Sequence, residues 1–185
     1  MATIPNLVSA IRIAAVPLFL WLLFGRDDPA LAGWVLGAVG ATDWVDGYLA
    51  RKLDQVSEIG KLLDPLADRL AIAAAVIGGW IAGVLPSWFA ALLIAREAAV
   101  GLGTGFVFLR FRIRLDVRYL GKVATTALYV AVASFYVFAG TEAAFFRATA
   151  WAFGLPGLFL YYQVGVQYVI DIRRILARGG AVSSR

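Results

Sequence analysis

Apolar stretches of about twenty residues, separated by short clusters of Gly, Pro, Asp and Arg, recur six times along the chain. That length is what an α-helix needs to cross a hydrocarbon core of about 30 Å. The pattern predicts helices near residues 5–24, 31–52, 58–83, 87–109, 119–139 and 146–175. The breaks carry turn chemistry: Gly25-Arg26-Asp27-Asp28-Pro29, Gly83-Val84-Leu85-Pro86-Ser87 and Gly140-Thr141-Glu142. The last stretch is the longest, and Gly154 and Pro156 stand where they would kink or split it. The fold class read from this pattern is all-α, a polytopic membrane protein of six transmembrane helices forming one domain over residues 1–185.

Composition agrees with a lipid solvent. Of the 185 residues, 62% are hydrophobic and only 16% charged, and the mean hydropathy is +0.81, values that an ordinary water-soluble domain does not reach. The chain has no Cys and no His, which removes disulfides, thiol nucleophiles, Cys-ligated metal centres and imidazole chemistry. Any metal must therefore sit on oxygen ligands. No basic residue precedes Arg12 and no Ala-x-Ala site follows the first stretch, so this segment reads as retained rather than cleaved. Of the 17 Lys and Arg residues, only Arg26 and Arg147 fall on the side of the loops after helices one, three and five. The positive-inside bias then sets both termini in the cytoplasm, at the plasma membrane, and the net charge of +5 suits anionic membrane lipids. No nucleic-acid-binding module is present in the sequence.

Charged side chains inside membrane helices cost about 2.5–3.5 kcal/mol each on insertion scales, so they tend to mark function. Here they cluster. Asp43, Asp46, Gly47, Ala50 and Arg51 share one face of the second helix, and Gly60, Asp64 and Asp68 form a stripe on the third. The link between the two helices is short, which predicts an antiparallel pair with four carboxylates at one end of the bundle. One or two hard divalent cations would relieve the repulsion; protonation is the competing resolution. The small residues Gly47, Ala50 and Gly60 leave room for a flat or phosphorylated group, and Arg51 is a partner for phosphate. Close helix packing explains the same small residues equally well when each is taken singly.

At these positions the sequence resembles the CDP-alcohol phosphotransferase family, whose signature is D-x2-D-G-x2-A-R-x8-G-x3-D-x3-D. Asp43, Asp46, Gly47, Ala50, Arg51, Gly60, Asp64 and Asp68 fill all eight fixed positions over 26 residues. The opening Ile4-Pro5-Asn6-Leu7 is similar to the start of the bacterial branches that make phosphatidylglycerophosphate or cardiolipin. The resemblance implies transfer of a phosphatidyl group from CDP-diacylglycerol to an alcohol, with release of CMP. It further implies that Asp43, Asp46, Asp64 and Asp68 hold two Mg2+ or Mn2+ ions. Asp68 is implied to act also as general base, and Gly47, Ala50, Arg51 and Gly60 to receive the nucleotide. Family members are commonly homodimers, which the resemblance extends to this chain.

An anionic acceptor needs cations of its own. Arg96, Arg118 and Lys122 are the candidates, Arg96 because it and Glu97 lie within an apolar helix and a buried charge pairs or lines a polar cavity. The other loop arginines, Arg110, Arg112 and Arg114, read equally as orientation anchors. Glycerol 3-phosphate is the first expected acceptor and phosphatidylglycerol the alternative. Thr104 stands where the first branch often carries a second Arg, a departure that weakens that order. An ion or proton transporter is the rival from another class; against it, no ladder of charges continues through the last two helices. Two pairs with GxxxG spacing, Gly33 with Gly37 and Gly101 with Gly105, suit tight packing within the chain or between two copies. Trp21, Trp80, Trp88, Trp151, Tyr161 and Tyr162 are assigned to interfacial belts and helix contacts. Asn6 is read as a helix cap.

Overall fold

The structure is a computed structural model that describes residues 4–53, 60–111 and 119–182. Among the described residues the only regular elements are helices: α1 (Ile4–Leu20), continued by a π-helical turn at Trp21–Gly25, α2 (Pro29–Leu53), α3 (Gly60–Ile81), α4 (Ser87–Phe111), α5 (Tyr119–Thr141) and α6 (Ala144–Val182). Each coincides with one apolar stretch of the sequence. Two of them, Ser87–Phe106 within α4 and Tyr119–Thr141, are long and apolar enough to cross a membrane; the apolar runs Ile13–Gly25, Pro29–Ala41 and Leu70–Ile81 are shorter. The outer surface is nonetheless oily. Leu102, Leu109, Phe145 and Phe159 expose 76%, 74%, 72% and 70% of their surface, an arrangement that water would penalise and lipid does not.

Local chemistry sets the helix ends. Asp28 accepts a hydrogen bond from the Leu31 N–H at 2.9 Å, and Pro29 occupies the first position of α2, where its missing N–H costs nothing. Asp27 and Glu142 adopt positive φ angles of 51° and 56°, and Gly83 one of 70°, so each of the three tight connections turns on one left-handed residue. Two expectations fail. Asn6 lies inside α1 rather than ahead of it, so it is not the cap. Gly154 and Pro156 do not split the last helix, which runs unbroken through both. A proline inside a helix forfeits one hydrogen bond, and the long contact of α6 with α5, the most extensive in the bundle, outweighs that loss.

Helix α2 is seated on α5. A Cβ added to Gly33 would lie 2.7 Å from the Tyr136 Cβ and 2.8 Å from the Val137 nitrogen, and one on Gly40 would lie 2.4 Å from the Tyr129 ring. Gly33 thus serves packing within the chain. By contrast, nothing lies within 4 Å of where a side chain on Gly101 or Gly105 would begin. Gly33→Ala is expected to lower stability by about 1–3 kcal/mol through overpacking, while Gly101→Ala leaves it unchanged or slightly raised. Thermal unfolding of the detergent-solubilised variants checks both.

The core draws on all six helices, α2 included through Ala32 and Leu36. Tyr136 is fully buried there; its hydroxyl donates to the Ala75 carbonyl at 2.7 Å, and its ring meets Phe19 edge-on at 5.2 Å. Near the N-terminal ends of α4 and α6, Trp88 stacks on Trp151 at 5.7 Å while Phe89 and Phe135 pack around them, so the assignment of these tryptophans to helix contacts holds. Helices α2 and α3 are not one of the close pairs among the described residues. Instead α1 packs against both, and a small open apolar crevice with a free volume of about 10 Å³ lies between them, lined by Val16 and Phe19 of α1, Val35 and Val39 of α2, and Ala71 and Ala74 of α3.

Candidate active site

The motif divides between two helices. Asp43, Asp46, Gly47, Ala50 and Arg51 occupy the C-terminal half of α2, and Gly60, Asp64 and Asp68 the first turns of α3. Helical periodicity puts the α2 positions on one face and the α3 positions on another. The side chains of these eight residues, and the link at 54–59, lie outside the described residues. The crevice leads toward the motif: Val39 is one turn from Asp43 along α2, and Ala71 nearly one turn from Asp68 along α3.

Close approaches between α2 and α5 give the depth of the motif. Gly140 of α5 meets Ala30, Gly33 meets Tyr136, Gly37 meets Ala133, and Gly40 meets Tyr129, a regular antiparallel register. One further turn brings positions 43–46 of α2 level with 124–127 of α5. On the other side of α5, a Cβ added to Gly157 would lie 3.2 Å from Ala127 and Leu128, and one on Gly121 3.6 Å from Val164, so the α6 positions level with 124–127 are about 157–161.

That layer holds Arg96. Its Nε donates to the Tyr161 carbonyl of α6 at 3.3 Å, its Nη1 donates to Glu97 Oε2 at 3.2 Å, and its guanidinium carbon lies 3.6 Å from the centre of the Tyr161 ring. The Tyr161 hydroxyl donates to the same Glu97 oxygen. The Arg96 side chain is only 10% exposed, whereas that of Glu97 is 45% exposed. Tyr162 secures the interface one turn along α4 by donating to the Leu92 carbonyl at 2.8 Å. Of the other candidate cations, Lys122 is exposed in the first turn of α5, Arg110 is exposed in the last turn of α4, and Arg118, Arg112 and Arg114 lie outside the described residues. Thr104 turns its hydroxyl back onto the Val100 carbonyl at 2.8 Å, a bond within its own helix.

Sequence reasoning missed Tyr161 as the partner of Arg96. The two are 65 residues apart, and nothing in local periodicity connects them; the one available signal was a charged Arg-Glu pair in an apolar helix, which demands a polar partner. Ala30 beside Gly140 sets the loops after α1 and α5 side by side, so Arg26 and Arg147 share one end of the bundle, opposite to the motif.

The family model of the CDP-alcohol phosphatidyltransferases matches residues 2–162. The chain is 39% identical over 181 residues to the cardiolipin synthase (CMP-forming) of Streptomyces coelicolor, covering 94% of this chain and 84% of that one. It is 30% identical over 176 residues to a putative cardiolipin synthase of Mycobacterium tuberculosis, with the same coverage. To the CDP-diacylglycerol–glycerol-3-phosphate 3-phosphatidyltransferase of Bacillus subtilis it is 37% identical over 154 residues, covering 72% of this chain and 76% of that enzyme. A match that spans most of the chain, on a bundle carrying the complete eight-residue motif, makes this protein a phosphatidyltransferase and a member of the CDP-alcohol phosphatidyltransferase family.

Proposed function

We propose that this protein is an integral membrane enzyme that transfers the phosphatidyl group of CDP-diacylglycerol to the hydroxyl of a phosphate-bearing alcohol and releases CMP. The observation that carries the reading is the complete motif on α2 and α3 at the edge of an apolar crevice, where a lipid-linked nucleotide meets both of its solvents. All six helices cross the membrane in this reading, with the motif end and both termini cytoplasmic. The bare Gly101 and Gly105 on α4 leave a surface for a second copy.

Asp43, Asp46, Asp64 and Asp68 would hold two divalent cations. The donor set fits: four carboxylates in a chain without His or Cys suit Mg2+ or Mn2+ and not a softer metal. Such ions, when bound, neutralise the diphosphate and stabilise charge on the departing CMP. The chain's own groups do the rest. Gly47, Ala50 and Gly60 leave space for the cytidine diphosphate, and Arg51 pairs with its phosphate. Asp68 takes the proton of the acceptor hydroxyl, whose oxygen bonds to the phosphatidyl phosphorus as the bond from that phosphorus to the CMP oxygen breaks. Arg96, Arg118 and Lys122 receive the phosphate of the acceptor.

Phosphatidylglycerol is the acceptor we favour, which reverses the order expected from the motif alone. Two relatives that align with 94% of this chain are named cardiolipin synthases, and Thr104 stands where the other branch often has Arg. Glycerol 3-phosphate remains the second reading, favoured by the Bacillus relative. The test incubates purified protein with labelled CDP-diacylglycerol, Mg2+ and each acceptor separately. CMP release with cardiolipin as product is expected with phosphatidylglycerol, lost in excess EDTA and restored by Mg2+. Release with neither acceptor overturns the reaction; release unaffected by EDTA overturns the metal assignment.

A further inference from the structure

We infer that Tyr161 and Glu97 are positioning residues that preset Arg96 for the phosphate of the acceptor alcohol. This rests on the transfer reaction proposed above and adds to it the parts that aim its cation.

An arginine in an apolar helix pair could be held simply to neutralise its charge, and a side-by-side carboxylate would do that with two parallel bonds. The observed arrangement is different. Glu97 gives one oxygen, shared between Arg96 Nη1 and the Tyr161 hydroxyl. The Tyr161 ring covers one face of the guanidinium at 3.6 Å, and the Tyr161 carbonyl fixes Nε. Stacking on one face, the carbonyl on Nε and the shared oxygen on Nη1 together define the plane of the guanidinium. No described residue engages Nη2, so that nitrogen is held in place yet left to donate. A guanidinium so fixed loses little rotamer freedom when an anion arrives, which is how preorganisation raises affinity. Its depth matches: the packing register sets Tyr161 in the same layer as positions 43–46 of α2, and Gly121 beside Val164 sets Lys122 next to that layer on α5.

The consequence is separable from folding. Tyr161→Phe keeps the ring and the carbonyl but removes the hydroxyl bond to Glu97; Glu97→Gln keeps shape and removes charge. Each is expected to raise the KM for the acceptor about threefold to tenfold, with kcat at saturating acceptor and the KM for CDP-diacylglycerol unchanged within about twofold. In the background of Arg96→Ala, Tyr161→Phe is expected to add nothing further to the acceptor KM, since it acts through the arginine. Glu97→Gln carries the same test independently of how stable Tyr161→Phe is in detergent. Unchanged acceptor KM in both variants, a rate lowered by the same factor at every acceptor concentration, or a full additive effect on top of Arg96→Ala overturns the positioning role while the transfer reaction stands. If the unmodified enzyme releases CMP with neither phosphatidylglycerol nor glycerol 3-phosphate, the reaction itself fails and this inference falls with it.

Discussion

Asp68→Asn is expected to lower phosphatidyl transfer by roughly 10²- to 10⁴-fold, the contribution of a positioned general base, while the enzyme still binds CDP. The amide is nearly the same size and keeps a metal-facing oxygen, but it cannot accept the acceptor's proton. Asp68 stands on α3, two turns inward from the helix start at Gly60, beyond Asp64 in the same stripe. Steady-state CMP release measures the first effect, and calorimetric titration with CDP in Mg2+ the second. Near-normal turnover would remove Asp68 as the base. Loss of CDP binding together with turnover would instead make it chiefly a metal ligand.

The second large effect is on metal requirement. Asp46→Asn takes one negative charge from a set of four carboxylates, and the Mg2+ concentration giving half-maximal rate is expected to rise at least about tenfold, which corresponds to ~1.4 kcal/mol of binding. Saturating Mg2+ should recover part of the rate, unlike the Asp68 variant, whose defect lies in proton transfer. A Mg2+ dependence equal to that of the unmodified enzyme would exclude Asp46 from the metal site.

Helix by helix, the fold was legible because each apolar stretch is long enough for a helix and is bounded by Gly, Pro and charged turn residues. The ends were set by chemistry visible in the sequence, as at Asp28-Pro29, and misjudged where tertiary contact prevailed, as at Pro156 within α6. Partner choice was less legible. Among the described residues α1 packs against both α2 and α3, a relation that apolar periodicity does not encode, while the antiparallel pairing expected at the motif end falls on residues outside those described. Gly33 and Gly101 look alike in sequence; only the packing distinguishes the glycine pressed on Tyr136 from the one with open space beside it. The motif was legible by its spacing alone, whereas Arg96, Glu97 and Tyr161 assemble from α4 and α6 and required the fold to bring them together.

The bond from the Tyr136 hydroxyl to the Ala75 carbonyl fastens α3 to α5 near the end of the bundle remote from the carboxylates. Seven residues separate that fastening from Asp68 and eleven separate it from Asp64, lever arms of roughly 10 and 16 Å at 1.5 Å per residue. A tilt of about 5° around the tyrosine would therefore carry the backbone at Asp68 about 0.9 Å and that at Asp64 about 1.4 Å sideways, more than the ionic radius of Mg2+, in a motion that barely disturbs the fulcrum.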